Sequence, residues 1–139
     1  MAAVSPRDVY YLVRDSNCEF EKWLSSLDSN SQFRIDAYID RFESGHRLDI
    51  KKLNNCEGCS EIKMDFGPGY RAYFNSDAPE KDELTILLRG GTKRTQSRDI
   101  KKTADDWRWY KKKYQEAKKK NLIQRMMELI FRRRSDEEE

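Results

Sequence analysis

The hydrophobic pattern of the first 45 residues predicts one strand and two helices. Residues 8–14 are mostly β-branched or aromatic, which is typical of a strand. Ser16 and Glu19 have the spacing of an N-terminal capping box, and apolar residues then recur at helical spacing, at Phe20, Trp23, Leu24 and Leu27. A second capping box at residues 29–32 predicts another helix that ends at Gly45, with an apolar face of Ile35, Tyr38, Ile39 and Phe42.

Three strands are predicted in the middle of the chain, after a polar segment at residues 46–58. Residues 60–66 alternate between apolar and polar side chains. Residues 70–75 place Arg71 and Tyr73 on one face, and the mostly apolar residues 84–90 suit a central strand. A sharp turn, Gly67-Pro68-Gly69, is expected between the first two strands.

The last third of the chain predicts helices. A basic loop at residues 92–99 precedes a third helix that is marked by Ile100, Ala104, Trp107 and Lys111. A further apolar cluster at residues 122–130 places Arg132, Arg133 and Arg134 in its last helical turn. The order β-α-α-β-β-β-α predicts an α+β fold, with an antiparallel sheet packed by the two N-terminal helices. We expect one unit at residues 1–112 and a basic helical extension with an acidic tail at residues 113–139.

The composition sets the size and the environment of the protein. Its 139 residues are 37% hydrophobic and 38% charged, which predicts a compact core under a densely ionic surface. No run of 18 apolar residues occurs, and the N-terminus lacks an apolar signal region. We therefore expect a cytoplasmic location and no membrane partner.

The net charge of +3 hides a strong asymmetry along the chain. Residues 1–88 carry 11 basic and 16 acidic side chains, whereas residues 89–134 carry 17 basic and five acidic ones. A basic half of this size favours a polyanionic partner such as nucleic acid, or an acidic protein surface. A lysine-rich, solvated helix is the alternative.

Arg71 is the most unusual residue of the predicted strands, because it lies among Tyr70, Ala72, Tyr73 and Phe74. A long cation in a central strand costs free energy unless an anion meets it. That anion is either a bound phosphate or a carboxylate of this chain, Asp65 or Glu61.

Three sequence blocks resemble one known family. "EFEKWLSSLD", "SEIKMDFGPGYRAYF" and "LLRGGTKRTQSRDI" occur here in the order and spacing seen in the RelE/ParE toxin superfamily. The match is closest to its branch of phage-related, HigB-like addiction-module killer proteins and covers about residues 8–112. The resemblance implies a compact RelE-like fold and a type II toxin–antitoxin system with a helix-turn-helix antitoxin as cognate partner.

The resemblance also implies a target. Many members of the superfamily cleave mRNA on the translating ribosome, whereas ParE-like members inhibit DNA gyrase without an enzymatic activity. The basic half of the chain favours the RNA target and an endoribonuclease (mRNA interferase). An inactive homologue that serves as a binding module is a third alternative.

Metal-independent RNA cleavage needs a base, an acid and cations on the phosphate. Arg71 is the predicted phosphate stabiliser, because guanidinium presents a planar fork to phosphate oxygens. Lys63 is expected beside it, and the resemblance adds Lys93 as a functional cation. Tyr73 is a candidate for base stacking or proton donation, and Asp99 either acts as a base or caps a helix. Arg47, Lys51, Lys52, Arg89, Arg94 and Arg98 are the predicted RNA-binding cations.

No metal or other cofactor is expected. Cys56 and Cys59 have the spacing of half a zinc site or of a redox pair, and two unrelated loop cysteines are the alternative. Trp23 and Trp107 are predicted in the core and Trp109 partly exposed. The extension is expected to fold back on the domain; self-association through residues 113–134, membrane-surface binding and contact with the antitoxin are the alternatives.

Overall fold

Strands that are apolar on both faces form the centre of the fold. A computed structural model of the protein describes residues 7–76 and 84–134. Over these ranges it is a mixed α+β fold with four α-helices and one six-stranded sheet. The strands are β1 (Asp8–Leu12), β2 (Ile50–Lys52), β3 (Ser60–Lys63), β4 (Tyr70–Asn75), β5 (Leu84–Thr92) and β6 (Phe131–Arg133). The helices are α1 (Glu19–Ser25), α2 (Ser29–Glu43), α3 (Gln96–Lys119) and α4 (Ile123–Ile130).

The sheet has the strand order β2-β3-β4-β5-β1-β6. Four neighbouring pairs are antiparallel, but β1 runs parallel to β5, from Asp8 opposite Leu84 to Tyr11 opposite Leu87. The prediction of a wholly antiparallel sheet is therefore wrong at this pair. β1 lies inside the sheet with helices on both faces, and this is where parallel pairs occur. Strand β2 also falls within the segment predicted as a polar link.

Both faces of the sheet are covered. Ala72 and Phe74 of β4 pack with Ile39 of α2, as predicted for the N-terminal helices. Tyr73 points to the opposite face and packs with Trp107 of α3. The sequence predicted one layer of helices on the sheet. The structure has two, and the sheet lies between them.

Neither of the first two helices begins where its capping box predicted: α1 begins later and α2 one residue earlier. Ser16 has a left-handed φ of 67° in the turn after β1, and α1 begins at Glu19. Asp28, rather than Ser29, caps α2 by accepting a 3.1 Å hydrogen bond from the backbone N–H of Ser31. Aspartate is about as favourable as serine at the N-cap position, so Asp28 can take this role one residue earlier.

The predicted basic loop at residues 92–99 is mostly helical. A 3-10 turn at Lys93–Thr95 leads directly into α3 at Gln96, so the third helix begins four residues before Ile100. Thr92 donates its backbone N–H to Oγ1 of Thr95 at 3.2 Å, which caps this turn. The threonine pair supplies the start signal that the apolar pattern lacks.

Residues 113–134 fold back on the rest of the chain, as predicted for the extension. α3 runs without a break through residue 112, where a unit boundary was predicted, and the division into two units stays a prediction. α4 packs on α3, and β6 pairs with β1. Arg132 and Arg133 were predicted in a helix but lie in β6, because the backbone of this segment pairs with β1 at the sheet edge. The acidic tail, residues 136–139, lies outside the described residues.

Two adjacent glycines let both helical layers approach β5 closely. A Cβ atom on Gly90 would lie 2.0 Å from the ring of Trp23, and one on Gly91 would lie 1.9 Å from Oδ2 of Asp99. Neither space would hold a methyl group. Trp23, predicted in the core, is half-buried against Gly90; Trp107 is buried and Trp109 half-buried, as predicted.

Candidate functional site

Four cationic side chains line one open cleft of about 570 Å³. Arg47 comes from the segment after α2, Lys63 from the end of β3, Arg71 from β4 and Lys93 from the turn after β5. Polar, acidic and apolar residues complete the lining: Tyr38, Leu48, Asp49, Met64, Asp65, Phe66, Gly67 and Gly69. The sequence predicted all four cations as site residues, and the fold brings these four together.

The turn between β3 and β4 places two of the four cations, Arg71 and Lys93, next to each other. Gly67 and Gly69 have φ values of 57° and 81°, which favour glycine over any residue with a Cβ atom. The carbonyl oxygen of Gly69 accepts hydrogen bonds from the backbone N–H of Lys93 at 2.8 Å and from Nη1 of Arg71 at 3.0 Å. The glycine turn therefore holds the end of β5 beside the Arg71 guanidinium.

Arg71 contacts a carboxylate, as one of the two sequence interpretations proposed. Its Nε atom lies 3.8 Å from Oε2 of Glu61, and Nη1 also donates to the carbonyl oxygen of Tyr70 at 3.2 Å. Only 11% of the Arg71 side chain is exposed. Within the described ranges Nη2 has no protein partner, so the guanidinium keeps donors for a ligand in the cleft.

Glu61 is fully buried and links the cleft to α3. Its Oε1 atom accepts a 2.7 Å hydrogen bond from Nε2 of Gln96, in the first turn of α3. Its Oε2 atom has no hydrogen bond within residues 7–76 and 84–134, and its charge partner is Arg71, whose Nε lies 3.8 Å away. The sequence analysis missed Gln96, because the position was interpreted as a loop.

The other three cleft cations have no ion pair with the described part of the chain. Lys63 lies opposite Arg71 in the β3–β4 register and is half-buried, and Arg47 and Lys93 are exposed. None of these three forms a salt bridge with a described carboxylate. Basic residues elsewhere do form such pairs: Arg14, Arg89, Arg108, Lys111, Arg132, Arg133 and Arg134. Three cations without a described salt bridge thus share the cleft with Arg71, although exposed cations outside it, such as Lys51 and Arg94, also lack one.

Tyr73 and Asp99 lie behind the cleft rather than in its lining. Tyr73 is fully buried, and its pKa is raised by desolvation and then by the Glu61 and Asp99 carboxylates. Asp99 accepts a 2.5 Å hydrogen bond from the Thr95 hydroxyl and packs against Gly91. Both side chains support the sheet–α3 contact, and their catalytic assignment stays a prediction.

The remaining predicted RNA-binding residues are scattered. Arg89 is engaged by Asp106, with its Nε 2.6 Å from Oδ2, and by Glu19 at 3.6 Å. Lys51 and Lys52 are exposed on the outer strand β2. Arg94 and Arg98 are exposed around the start of α3. None of these five belongs to the described cleft lining.

The described part of the chain shows no group of three or more His, Cys, Asp or Glu side chains placed to hold a metal ion. Its helices also include none with the length and apolarity to cross a membrane.

Comparison with known proteins gives one relative. An uncharacterized protein of Haemophilus influenzae is 41% identical to this chain over 83 residues, which are 59% of this chain and 79% of that protein. The chain belongs to the family of that protein. No family model matches the chain, and no solved structure matches it either.

Proposed function

We propose that the chain is the toxin of a type II toxin–antitoxin system in the RelE/ParE superfamily, and that it is a metal-independent mRNA interferase acting on the translating ribosome. The cleft carries this proposal, because it gathers four cations of which Arg47, Lys63 and Lys93 have no carboxylate partner among the described residues. A polyanion is the ligand that such a cleft favours. The order β1-α1-α2-β2-β3-β4-β5-α3, in which the short outer strand β2 is an addition to the predicted pattern, also supports a RelE-like topology.

Arg71 stabilises the phosphate in the proposed reaction. Attack of a ribose 2′-hydroxyl on the adjacent phosphorus builds negative charge on the phosphate oxygens. The Arg71 guanidinium is held by two backbone carbonyls and Glu61 while Nη2 stays available. A donor fixed before the reaction stabilises that charge without reorganisation.

The cleft lining offers two lysines, two carboxylates and one phenol that can transfer the two protons of the reaction: Lys63, Lys93, Asp49, Asp65 and Tyr38. One takes the proton of the 2′-hydroxyl and another supplies the proton of the leaving 5′-oxygen. Tyr73 and Asp99 then act through the sheet and α3, since neither lines the cleft.

A ParE-like gyrase inhibitor is the second candidate function. It is favoured by the cleft lacking a histidine among its described lining residues, and by the burial of the Tyr73 hydroxyl. Under this alternative the same cations bind an acidic surface without cleaving RNA. Helix-turn-helix antitoxin binding is part of both candidates.

Controlled expression separates the candidates. Wild type, Lys93→Ala and Arg47→Ala are induced separately, with Lys112→Ala as a control at an exposed lysine outside the cleft. Growth arrest with new mRNA 5′ ends in primer extension, weakened by the two cleft variants alone, supports the interferase. Arrest with intact mRNA and DNA damage supports gyrase inhibition. Normal growth with both targets intact contradicts both candidates.

A further inference from the structure

Cys56 and Cys59 are the two ends of one tight turn before β3. The backbone N–H of Cys59 donates a 2.9 Å hydrogen bond to the carbonyl oxygen of Cys56. Glu57 and Gly58 between them have positive φ values of 56° and 89°, which fold the chain back on itself. Such a turn brings its first and fourth Cα atoms within about 7 Å. A disulfide spans Cα separations of about 4.4–6.8 Å.

The two sulfur atoms form hydrogen bonds with different parts of the fold. Cys56 donates its S–H to the carbonyl oxygen of Ile100 in α3 at 3.6 Å. Cys59 accepts from Nδ2 of Asn75 in β4 at 3.4 Å. Both cysteines are almost fully buried, at 1% and 0% exposure, and both are free thiols.

The pKa values of the two thiols are shifted in opposite directions. A hydrogen bond from Cys59 lowers the pKa of Cys56, whereas the same contact and burial raise the pKa of Cys59. The thiolate is the attacking species in disulfide exchange. These directions favour Cys56 as the attacking thiol and Cys59 as the resolving thiol.

We propose that Cys56 and Cys59 are a reversible redox pair that closes to an intramolecular disulfide by exchange with a small-molecule disulfide such as glutathione disulfide. Local opening of the Cys56–Cys59 turn gives the reagent access to Cys56, which is 1% exposed in the closed fold. The Cys56 thiolate attacks one sulfur of the reagent, and one glutathione thiolate leaves with the electron pair of the broken S–S bond. Cys59 loses its proton and attacks the Cys56 sulfur, which expels the second glutathione thiolate. The protein loses two electrons and two protons. Glutathione disulfide gains these electrons and protons and becomes two molecules of glutathione.

Formation of the disulfide changes one hydrogen bond to α3. The disulfide removes the S–H that Cys56 donates to Ile100, in the helix whose first turn carries Gln96 and Asp99. One hydrogen bond at the start of α3 is lost on oxidation and regained on reduction. This inference does not depend on the proposed function.

The test uses purified full-length protein treated with glutathione disulfide under native conditions, followed by alkylation and mass spectrometry. We expect loss of two hydrogen atoms, a Cys56–Cys59 cross-link in the peptide map, and reversal by dithiothreitol. Cys18→Ala is the matched control, because Cys18 is a buried cysteine in another part of the fold. It should form the cross-link as the wild type does.

The single variants test the roles of the two thiols. Cys59→Ser should trap a stable glutathione adduct on Cys56, and Cys56→Ser should form no cross-link. Hydrogen exchange at residues 100–104 should be faster in the oxidised wild type than in the reduced protein. Native protein that keeps all three thiols, a disulfide that includes Cys18, or a persistent glutathione adduct on wild type would each overturn the proposal.

Discussion

Oε2 of Glu61 lies 3.8 Å from Nε of Arg71 between β3, β4 and α3, and both residues are buried. Removing one partner of a buried pair leaves an uncompensated charge. We expect Arg71→Ala to lower the free energy of unfolding by about 3–5 kcal/mol in urea titrations. In a Glu61→Gln background the same substitution should cost clearly less. Equal costs in both backgrounds would show that the two side chains are not coupled.

This coupling affects tests of function. If the proposed function is correct, loss of toxicity in Arg71→Ala has two possible causes, unfolding and a lost phosphate contact. The exposed Lys93 and Arg47 allow cleaner tests, because neither forms a described ion pair.

Gly91 should tolerate no side chain while Asp99 is present. The added Cβ would lie 1.9 Å from Oδ2 of Asp99, so either the Asp99 side chain must move away from Thr95 or β5 and α3 must separate. We expect Gly91→Ala to destabilise the protein by about 1–3 kcal/mol or more, measured by thermal or urea unfolding. Adding Asp99→Ala should recover part of this loss. Additive effects of the two substitutions would contradict the close contact.

The cleft cations should dominate binding to RNA if the proposed function is correct. Lys93→Ala should weaken binding of a single-stranded RNA, and the slope of log K against log salt should fall by about 0.7 for each lost phosphate contact. Fluorescence anisotropy over a salt series measures both. The Lys112→Ala control lies on the solvated side of α3 and should change neither. Indistinguishable slopes for the two variants would place the RNA outside the cleft.

Tyr11 should make the protein sensitive to alkali. Burial raises its pKa from 10.0 to about 12. The folded state then holds its proton longer than the unfolded state, so stability is full below pH 10 and falls as pH rises towards 12. At pH 11 we expect wild type to have lost about 1 kcal/mol from this residue. Urea unfolding at pH 8 and pH 11 should show a smaller loss for Tyr11→Phe; the same loss in both proteins would assign it to other groups.

Arg134 should matter more than its neighbour Arg133. The Arg134 side chain is 13% exposed and lies 2.7 Å from Asp40 and 2.8 Å from Glu43, whereas Arg133 pairs with Asp8 near solvent. We expect Arg134→Ala to cost about 1.5–3 kcal/mol of unfolding free energy and Arg133→Ala less than about 1 kcal/mol. Urea titrations measure both. The reverse order would show that the C-terminal segment is not held through Arg134.

Part of the site could be predicted from local sequence alone. The turn Gly67-Pro68-Gly69 and the alternation around it place Lys63 and Arg71 on the same face of neighbouring strands, and the β3–β4 register pairs them. The burial of Tyr73 could not be predicted in this way, because a strand pattern does not say which helix covers each face. α3 covers that face with Trp107.

The sequence by itself determined the α+β class, the first two helices, the strands around the glycine turn and the cationic character of the site, because these follow from short-range periodicity and charge. Only the tertiary structure decided that β1 pairs with β5, that β6 closes the edge beside β1, and that Gln96 reaches Glu61. These contacts join residues that are far apart in the chain. Their free energy depends on packing and desolvation in the assembled interior, which no local pattern encodes.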